Sequence, residues 1–231
     1  MMADDSYFSA SRLCKQRASI QVAFSAQAAR GSFTAIVGPS GSGKSTVLRM
    51  ISGLLAPDNT DASVRLAGRE LTGVPPHKRG IGMVFQSGAL FAHMRVIDNV
   101  AYGLRCAGVK KKESRERAEL FLERFGLAGF ARRWPESLSG GEAQRVSLAR
   151  TLIMQPELVL FDEPFSSLDA PLRKRLAEDM LAMQRSTGFT GIMVTHDLAE
   201  ARYVCSRIIM MRAGAVCWSG ESDEFDARMM E

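Results

Sequence analysis

Residues 38–46 read Gly38-Pro39-Ser40-Gly41-Ser42-Gly43-Lys44-Ser45-Thr46. This segment matches G-x-x-x-x-G-K-[ST], the phosphate-binding P-loop motif. An apolar, strand-like run (33–37) precedes it, and a run with apolar residues at helical spacing (47–55) follows it. In that context, glycine-rich backbone and a helix N-terminus form a site for phosphate groups. The alternative, a Gly/Ser-rich surface loop, does not account for the flanking strand and helix.

Two side chains of the motif have defined chemistry. Lys44 is expected to reach the β- and γ-phosphates of a nucleotide, and the Ser45 hydroxyl is expected to ligate Mg²⁺. The sequence therefore predicts a nucleoside triphosphate with Mg²⁺ as the ligand.

The composition limits the class of protein. The 231 residues are 46% hydrophobic and 24% charged, which is enough for a sizeable core. No apolar run approaches the ~20 residues of a membrane-spanning helix, and the first residues lack the pattern of a secretory signal. The four cysteines have no metal-ligand spacing and are expected to be reduced thiols.

The net charge of +5 is mild. The densest basic run, 110–117, alternates with glutamates, so a solvated helix face is favoured over a nucleic-acid surface. No nucleic-acid partner is expected.

Strand-like and helix-like segments alternate along the chain. Strands are predicted at 20–24, 33–37, 64–66, 81–85, 158–161 and 191–195, with a closing hairpin of 208–211 and 215–218 joined through Gly214. Helices are predicted at 97–104, 111–125, 142–153, 170–186 and 198–204. The pattern predicts an α/β fold with a mostly parallel sheet and an antiparallel N-terminal part. We expect one domain (1–231), with a core of about 1–94 and 155–231 and an inserted helical subdomain of about 95–154.

Two carboxylates follow the buried strand 158–161. Asp162 lies where a P-loop protein places a second residue that positions Mg²⁺. Glu163 comes next and is the candidate general base for the attacking water. The alternative is an ordinary solvated turn at a strand end.

Three further segments have candidate roles. Gln86 ends a strand and is a possible ligand of Mg²⁺ or water, although a strand-end Gln is usually surface. His196 ends another strand and is a candidate γ-phosphate contact, although a lone His is more often structural. Ser139-Gly140-Gly141-Glu142 opens a helix whose N-terminus suits an anion, and the same spacing also fits a capping box.

Together these segments resemble the nucleotide-binding subunit of an ATP-binding cassette (ABC) transporter. In that resemblance 38–46 corresponds to Walker A, Gln86 to the Q-loop, and 138–142 to the signature. Residues 158–163 correspond to Walker B with its catalytic glutamate, 167–169 to the D-loop, and His196 to the switch histidine. The likeness covers nearly the whole chain. It implies a P-loop NTPase fold, ATP and Mg²⁺ as cofactors, and Asp169 as a further nucleotide-site residue.

The chain departs from the family pattern at two places. Glu142 stands where the signature usually ends in Gln. The family usually places an aromatic residue, which stacks on adenine, about 29 residues before the Walker A lysine, and here that position is Lys15. Arg17 or Arg12 is a candidate to cover the base with its guanidinium plane, with weak discrimination between ATP and GTP as the consequence.

The resemblance implies a head-to-tail dimer that holds two ATP molecules between the P-loop of one subunit and the signature of the other. It further implies integral membrane permease subunits as partners, a solute-binding protein as an indirect partner, and a peripheral location on the cytoplasmic face of the inner membrane. The coupling surface is predicted at 86–102, with Phe91, His93 and Met94 in a groove for the permease. The alternative is that these three side chains pack internally.

The segments 75–79, 82–86 and 89–91 are similar to those of importers of polyamines, ferric iron and thiamine. The leading interpretation is the ATPase of a bacterial importer of such a small solute, and the length of the chain is closest to the thiamine type. The alternatives are a soluble ABC ATPase acting on nucleic acid or ribosomes, and the ATPase subunit of an exporter.

Overall fold

The computed structural model describes residues 6–17, 19–85, 89–166, 168, 170–226 and 228. The chain divides into two compact units. The core unit comprises Met1–Met83, Glu157–Glu163 and Gln184–Glu231, and the helical unit comprises Val84–Pro156 and Pro164–Met183. The predicted helical subdomain of 95–154 falls within the second unit. The organisation of the whole chain as a single domain stays a prediction.

Ten strands form one sheet with the order β5-β4-β1-β2-β10-β9-β3-β8-β7-β6. The strands are β1 (Phe8–Arg17), β2 (Ile20–Ala28), β3 (Phe33–Val37), β4 (Ser63–Leu66), β5 (Arg69–Glu70), β6 (Ile81–Val84), β7 (Leu158–Asp162), β8 (Thr190–Val194), β9 (Arg207–Arg212) and β10 (Ala215–Glu221).

The sheet has a parallel part and an antiparallel part. β3 is parallel to both β8 and β9, and β7 is parallel to β8. β1 is antiparallel to β2 and to β4, which confirms the predicted antiparallel N-terminal part. The predicted closing hairpin through Gly214 is also confirmed, because β9 and β10 pair antiparallel. Every residue of β3 and β8 is buried, as expected for strands covered on both faces.

The first helix, α1 (Lys44–Ser52), buries its apolar face in the main core. Val47, Leu48 and Ile51 are fully buried together with residues of β1, β2 and β7. On the parallel strands, the rings of Phe33 and Phe161 lie 5.5 Å apart. Side chains of the sheet and of the helix that follows the P-loop therefore pack together in one core. The short helix α6 (Leu198–Val204) also belongs to the core unit.

The helical unit contains α2 (Val96–Cys106), α3 (Lys111–Arg124), α4 (Gly140–Leu152) and most of α5 (Ala170–Thr187). In α3 only Ser114, Ala118 and Leu122 are buried, so the basic run forms a solvated helix face as predicted. The helix α4 begins at Gly140, two residues before the predicted start, because the two glycines belong to its first turn. Within the described residues no helix has the length and apolar character that a membrane crossing needs.

Candidate active site

The P-loop joins β3 to α1, and at two of its positions the backbone conformation and the close neighbouring atoms exclude every residue but glycine. Gly38 has a φ of 148°, and a Cβ there would lie 2.0 Å from the carbonyl oxygen of Met211. Gly43 has a φ of 97°, and a Cβ there would lie 2.6 Å from a methyl group of Val22. The N-terminus of α1 has no side-chain cap and no acidic residue in its first turn. Its N–H groups and positive dipole end are therefore free to bind an anion.

Lys44 is buried, with only 5% of its surface exposed. Its Nζ donates to the carbonyl oxygens of Gly38 and Pro39, both at 2.8 Å. Burial lowers the pKa of this ammonium group, and the neighbouring carboxylates of Glu163 and Asp162 oppose that shift. An ammonium has three protons, so one remains to bind a phosphate oxygen.

Ser45 and Asp162 meet beside Lys44. The Ser45 hydroxyl donates to the Asp162 carboxylate at 2.8 Å, and Asp162 is the last residue of β7. A hydroxyl and a carboxylate offer the hard oxygen ligands that Mg²⁺ prefers, with water and phosphate oxygens completing its shell. The described residues include no group of three or more His, Cys, Asp and Glu side chains able to hold a metal. The donor set therefore fits a nucleotide-bound Mg²⁺ rather than an all-protein metal site.

Glu163 occupies a strained backbone position with a φ of 48°. Its N–H donates to the carbonyl oxygen of Val194 at 2.9 Å, which ties it to the end of β8. One oxygen of its carboxylate lies 3.4 Å from Nδ1 of His196. The two strand ends therefore bring together the candidate general base and the candidate switch histidine.

His196 lies on a short, well-anchored turn. The Thr195 hydroxyl donates to Glu200 at 2.7 Å and accepts from the Asp197 N–H at 3.0 Å. Asp197 then caps α6 by accepting from the N–H groups of Ala199 and Glu200. These bonds fix the backbone on both sides of His196.

A cleft of about 400 Å³ lies at the P-loop and reaches Glu163. It is lined by Arg17, Ser19, Ile20, Ser40, Gly41, Gly43, Lys44, Ser45, Thr46 and Glu163. The sequence predicted the P-loop residues and Glu163, and it named Arg17 as a candidate for the base. It missed Ser19 and Ile20, which reach the cleft because β1 and β2 pair with Arg17 opposite Ile20. Gln86 and Asp169, both predicted site residues, lie outside the described residues.

The far end of α1 is held by Arg79, which the sequence analysis did not assign to the site. Arg79 is buried, and its Nη1 donates to the carbonyl oxygens of Ile51 at 2.8 Å and Met50 at 3.3 Å. Its Nε donates to the carbonyl oxygen of Val74 at 2.8 Å. A cation at a helix C-terminus interacts favourably with the helix dipole.

The predicted signature forms the N-terminus of α4 in the helical unit. Ser139 is the N-cap, and its Oγ accepts from the N–H of Glu142 at 3.4 Å. The Glu142 carboxylate accepts from the N–H of Ser139 at 2.7 Å, so both halves of a capping box are present. That backbone hydrogen bond lowers the pKa of Glu142, and Arg133, at 3.9 Å, acts in the same direction. A Cβ on Gly141 would lie 2.6 Å from the Leu172 side chain, so glycine permits the close packing there.

The predicted coupling segment is held in place by Asn99, a residue that the sequence analysis did not single out. Asn99 is fully buried; its carbonyl oxygen accepts from the Phe91 N–H at 2.8 Å, and its amide donates to the carbonyl oxygens of Phe91 and Met94. The Phe91 ring packs 4.7 Å from the Tyr102 ring. His93 is exposed, whereas Phe91 and Met94 are half-buried. Phe91 therefore packs internally, and His93 faces solvent.

Comparison with known proteins identifies the family. A protein of Agrobacterium fabrum named "Fe(3+) ions import ATP-binding protein FbpC" is 47% identical over 194 residues, 84% of this chain and 54% of its own length. "Sulfate/thiosulfate import ATP-binding protein CysA" of Mycobacterium bovis is 46% identical over 198 residues, 85% of this chain and 56% of its own length. The chain spans about half the length of the curated relatives it matches.

A solved structure agrees with this assignment. The structure of cbiO1 from Clostridium perfringens, described as part of the ABC transporter complex cbiONQ, has a TM-score of 0.84 and 26% identity. The match covers 96% of this chain and 90% of that one. The sequence profile described as ABC transporter matches residues 22–166, more than half of the chain. The chain therefore belongs to the ABC transporter family.

Proposed function

We propose that this chain is the ATP-binding and ATP-hydrolysing subunit of a bacterial importer of a small solute. The observation that supports this most directly is the grouping of five side chains of the core unit at the P-loop and at the carboxyl ends of β7 and β8. Lys44 and the Ser45–Asp162 pair lie at the P-loop, and the Glu163 carboxylate lies beside His196. This arrangement provides an anion site, oxygen ligands and a base in the places that phosphoryl transfer from a nucleotide requires.

In the proposed reaction, the P-loop N–H groups and Lys44 bind the β- and γ-phosphates. Ser45 and Asp162 would hold Mg²⁺, with Gln86 as a further ligand proposed from the sequence. When bound, the ion neutralises charge on the phosphates. Glu163 accepts a proton from the water that attacks the γ-phosphorus, and ADP and phosphate leave. His196 orients Glu163 and contacts the γ-phosphate.

We place the second side of the site on another copy of this chain. A P-loop leaves one side of the γ-phosphate open to water, and a second helix N-terminus would close it. Ser139, Gly140, Gly141 and Glu142 of the second copy would supply that terminus, and the sequence assigns Asp169 to the D-loop. Closure in a head-to-tail dimer would exclude water and strengthen the electrostatic interactions at the transferring phosphoryl group. Hydrolysis would then let the dimer open and drive a permease at the cytoplasmic face of the membrane.

The solute is proposed from the relatives. Among the polyamine, thiamine and ferric iron types that the sequence suggests, the names of the relatives favour Fe(3+). The sulfate relative is about equally similar, so the proposal extends only to a small solute of this group. Exposed His93, next to the segment held by Asn99, is the candidate permease contact.

Affinity purification from the native membrane in mild detergent, followed by mass spectrometry, tests the transport proposal. We expect an integral permease to copurify, together with a solute-binding protein. Recovery of only ribosomal or DNA-associated partners would overturn the importer proposal and leave the ATPase chemistry intact.

A further inference from the structure

The cleft of the core unit is larger than the anion site at its P-loop end. It is lined by P-loop residues including Lys44 and, in addition, by Arg17, Ser19 and Ile20. The P-loop residues suit the phosphates of a nucleotide. Arg17, Ser19 and Ile20 are therefore the lining residues that are left to contact the nucleoside.

Strand β2 packs against the P-loop. Val22 of β2 lies so close to Gly43 that a Cβ on the glycine would come within 2.6 Å of its methyl group. Arg17 pairs with Ile20 at the end of the β1–β2 ladder. β2 therefore packs directly against the phosphate site, and Arg17 and Ile20 lie at the end of the same β1–β2 ladder.

The other two cationic side chains considered on β1, Lys15 and Arg12, pair with carboxylates outside the cleft. Lys15 donates to Asp58 at 2.5 Å. Arg12 lies 3.3 Å from the Asp61 carboxylate and lines a different cavity, together with Asn59 and Asp61. Arg17 is exposed, and within the described ranges no ion-pair partner is found for it. Of the three cations, Arg17 is the one that faces the nucleotide cleft.

We propose that Arg17 covers one face of the nucleobase with its guanidinium plane, with Ile20 packing against the same base. This inference rests on the proposed nucleotide-binding function and concerns how that site selects its nucleotide. A guanidinium plane interacts with the π-face of a base, which all bases share, and an isoleucine adds only apolar contact. Neither group reads the hydrogen-bonding edge that distinguishes adenine from guanine, and the hydroxyl of the nearby Ser19 can both donate and accept, so it fits either base. The site therefore binds ATP and GTP with affinities that differ by less than about tenfold.

The test compares binding of ATP, GTP and inorganic tripolyphosphate by calorimetry. The wild-type chain is compared with Arg17→Ala, with Arg17→Tyr and with the matched control Arg12→Ala. We expect Arg17→Ala to lower the affinity for ATP and for GTP alike by about 3-fold to 30-fold. The affinity for tripolyphosphate should not change. Arg17→Tyr should retain the affinity for both nucleotides, because an aromatic ring also stacks on a base. Arg12→Ala should not change the affinity for any of the three ligands.

Two results would overturn the proposal. A wild-type preference for ATP over GTP above about tenfold would mean that the edge of the base is read. A loss of tripolyphosphate affinity in Arg17→Ala would mean that Arg17 binds phosphate instead. Failure of the proposed function looks different, because then neither the nucleotides nor tripolyphosphate would bind, and Lys44→Ala would change nothing.

Discussion

The N-termini of α1 and α4 differ in whether side chains cap the backbone N–H groups and in the sign of the nearby charge. Each helix N-terminus presents backbone N–H groups and a positive dipole end, and glycines lie in the loop before α1 and in the first turn of α4. At α1 no side chain caps the helix, the first turn has no acidic residue, and Lys44 adds a positive charge. At α4 the side chains of Ser139 and Glu142 complete a capping box, and a carboxylate occupies the first turn.

The difference separates a terminus built for a ligand from one that is stable on its own. The α1 terminus has positive charge and free donors, so it depends on an anion to satisfy them. At α4 the capping box occupies the N–H groups of Ser139 and Glu142, whereas the N–H groups of Gly140 and Gly141 and the hydroxyl proton of Ser139 lie outside it. An anion at α4 would meet the negative charge of Glu142, partly offset by Arg133.

The largest expected effect comes from removing the positive charge at α1. Lys44→Ala should reduce ATP hydrolysis by on the order of 10²-fold or more, because it removes the ammonium group that faces the β- and γ-phosphates. The measurement is steady-state phosphate release. Lys112→Ala, on the exposed face of α3, is the matched control and should retain full activity. Near-normal turnover in Lys44→Ala would refute the P-loop assignment.

The two termini should meet across one ATP when hydrolysis is blocked. Glu163→Gln should keep ATP binding, lower turnover by on the order of 10²-fold and trap a dimer, because the proton acceptor for water is lost while the γ-phosphate stays bound. Size-exclusion chromatography with and without ATP measures the dimer. Adding Lys44→Ala to this variant should abolish the dimer. A Glu163→Gln chain that stays monomeric with saturating ATP would count against the shared site.

A smaller effect on ATP-dependent dimer formation should come from removing the negative charge in the first turn of α4, as in α1. Glu142→Gln removes the negative charge from the first turn of α4 and should lower the ATP concentration for half-maximal dimer formation by about twofold to fivefold. Arg133→Ala should act in the opposite direction, because it removes the cation beside Glu142. Both are measured in the Glu163→Gln background. If Arg133→Ala has the same effect with Glu142→Gln as without it, the two side chains are not coupled.

The smallest effect concerns stability without nucleotide. Ser139→Ala should cost about 1 kcal/mol, or about 2–4 °C in melting temperature, because it removes an N-cap. Ser42→Ala in the P-loop should cost less, since the buried Ser42 hydroxyl has no hydrogen-bond partner among the described residues. Thermal unfolding followed by circular dichroism measures both. Equal losses would show that the two serines do not differ as capping groups.

The same capping box gives a pH dependence with a defined sign. The pKa of Glu142 is lowered in the folded chain, so its contribution to stability is full above its unfolded pKa of about 4.3 and is lost as pH falls through the folded value. Between pH 7 and acidic pH, the wild-type chain should therefore lose more melting temperature than Glu142→Gln. A parallel decline in both chains would contradict this assignment.

Local patterns were sufficient for much of this fold. The P-loop, the β9–β10 hairpin and the solvated face of α3 each follow from residues close together in sequence. The capping-box spacing of Ser139 and Glu142 was likewise visible, and both of its hydrogen bonds are present. Such features depend on spacing and helix or strand periodicity, which a single sequence contains.

Other parts of the candidate site depend on distant contacts. Arg79 reaches α1 from a loop about thirty residues away. The side-chain amide of Asn99 bonds the backbone of Phe91 and Met94, and nothing in the local sequence pattern identifies those partners. Ile20 reaches the cleft only because of the strand register opposite Arg17. The left-handed backbone of Glu163 is imposed by β8 through Val194 and has no signal in the residue itself.

The Arg79 guanidinium at the far end of α1 has a consequence for how the helix responds to nucleotide. α1 has nine residues, so its two ends lie only about 13 Å apart. With the carbonyl end already tied down by Arg79, triphosphate binding at the amide end would leave neither end of α1 able to fray. Hydrogen exchange should therefore slow along the whole helix on ATP binding, including amides near Met50 that are distant from the phosphates. In Arg79→Met, ATP binding should slow hydrogen exchange only in the first turn of α1. Nucleotide binding at the N-terminal end would then no longer stabilise the C-terminal end of the helix.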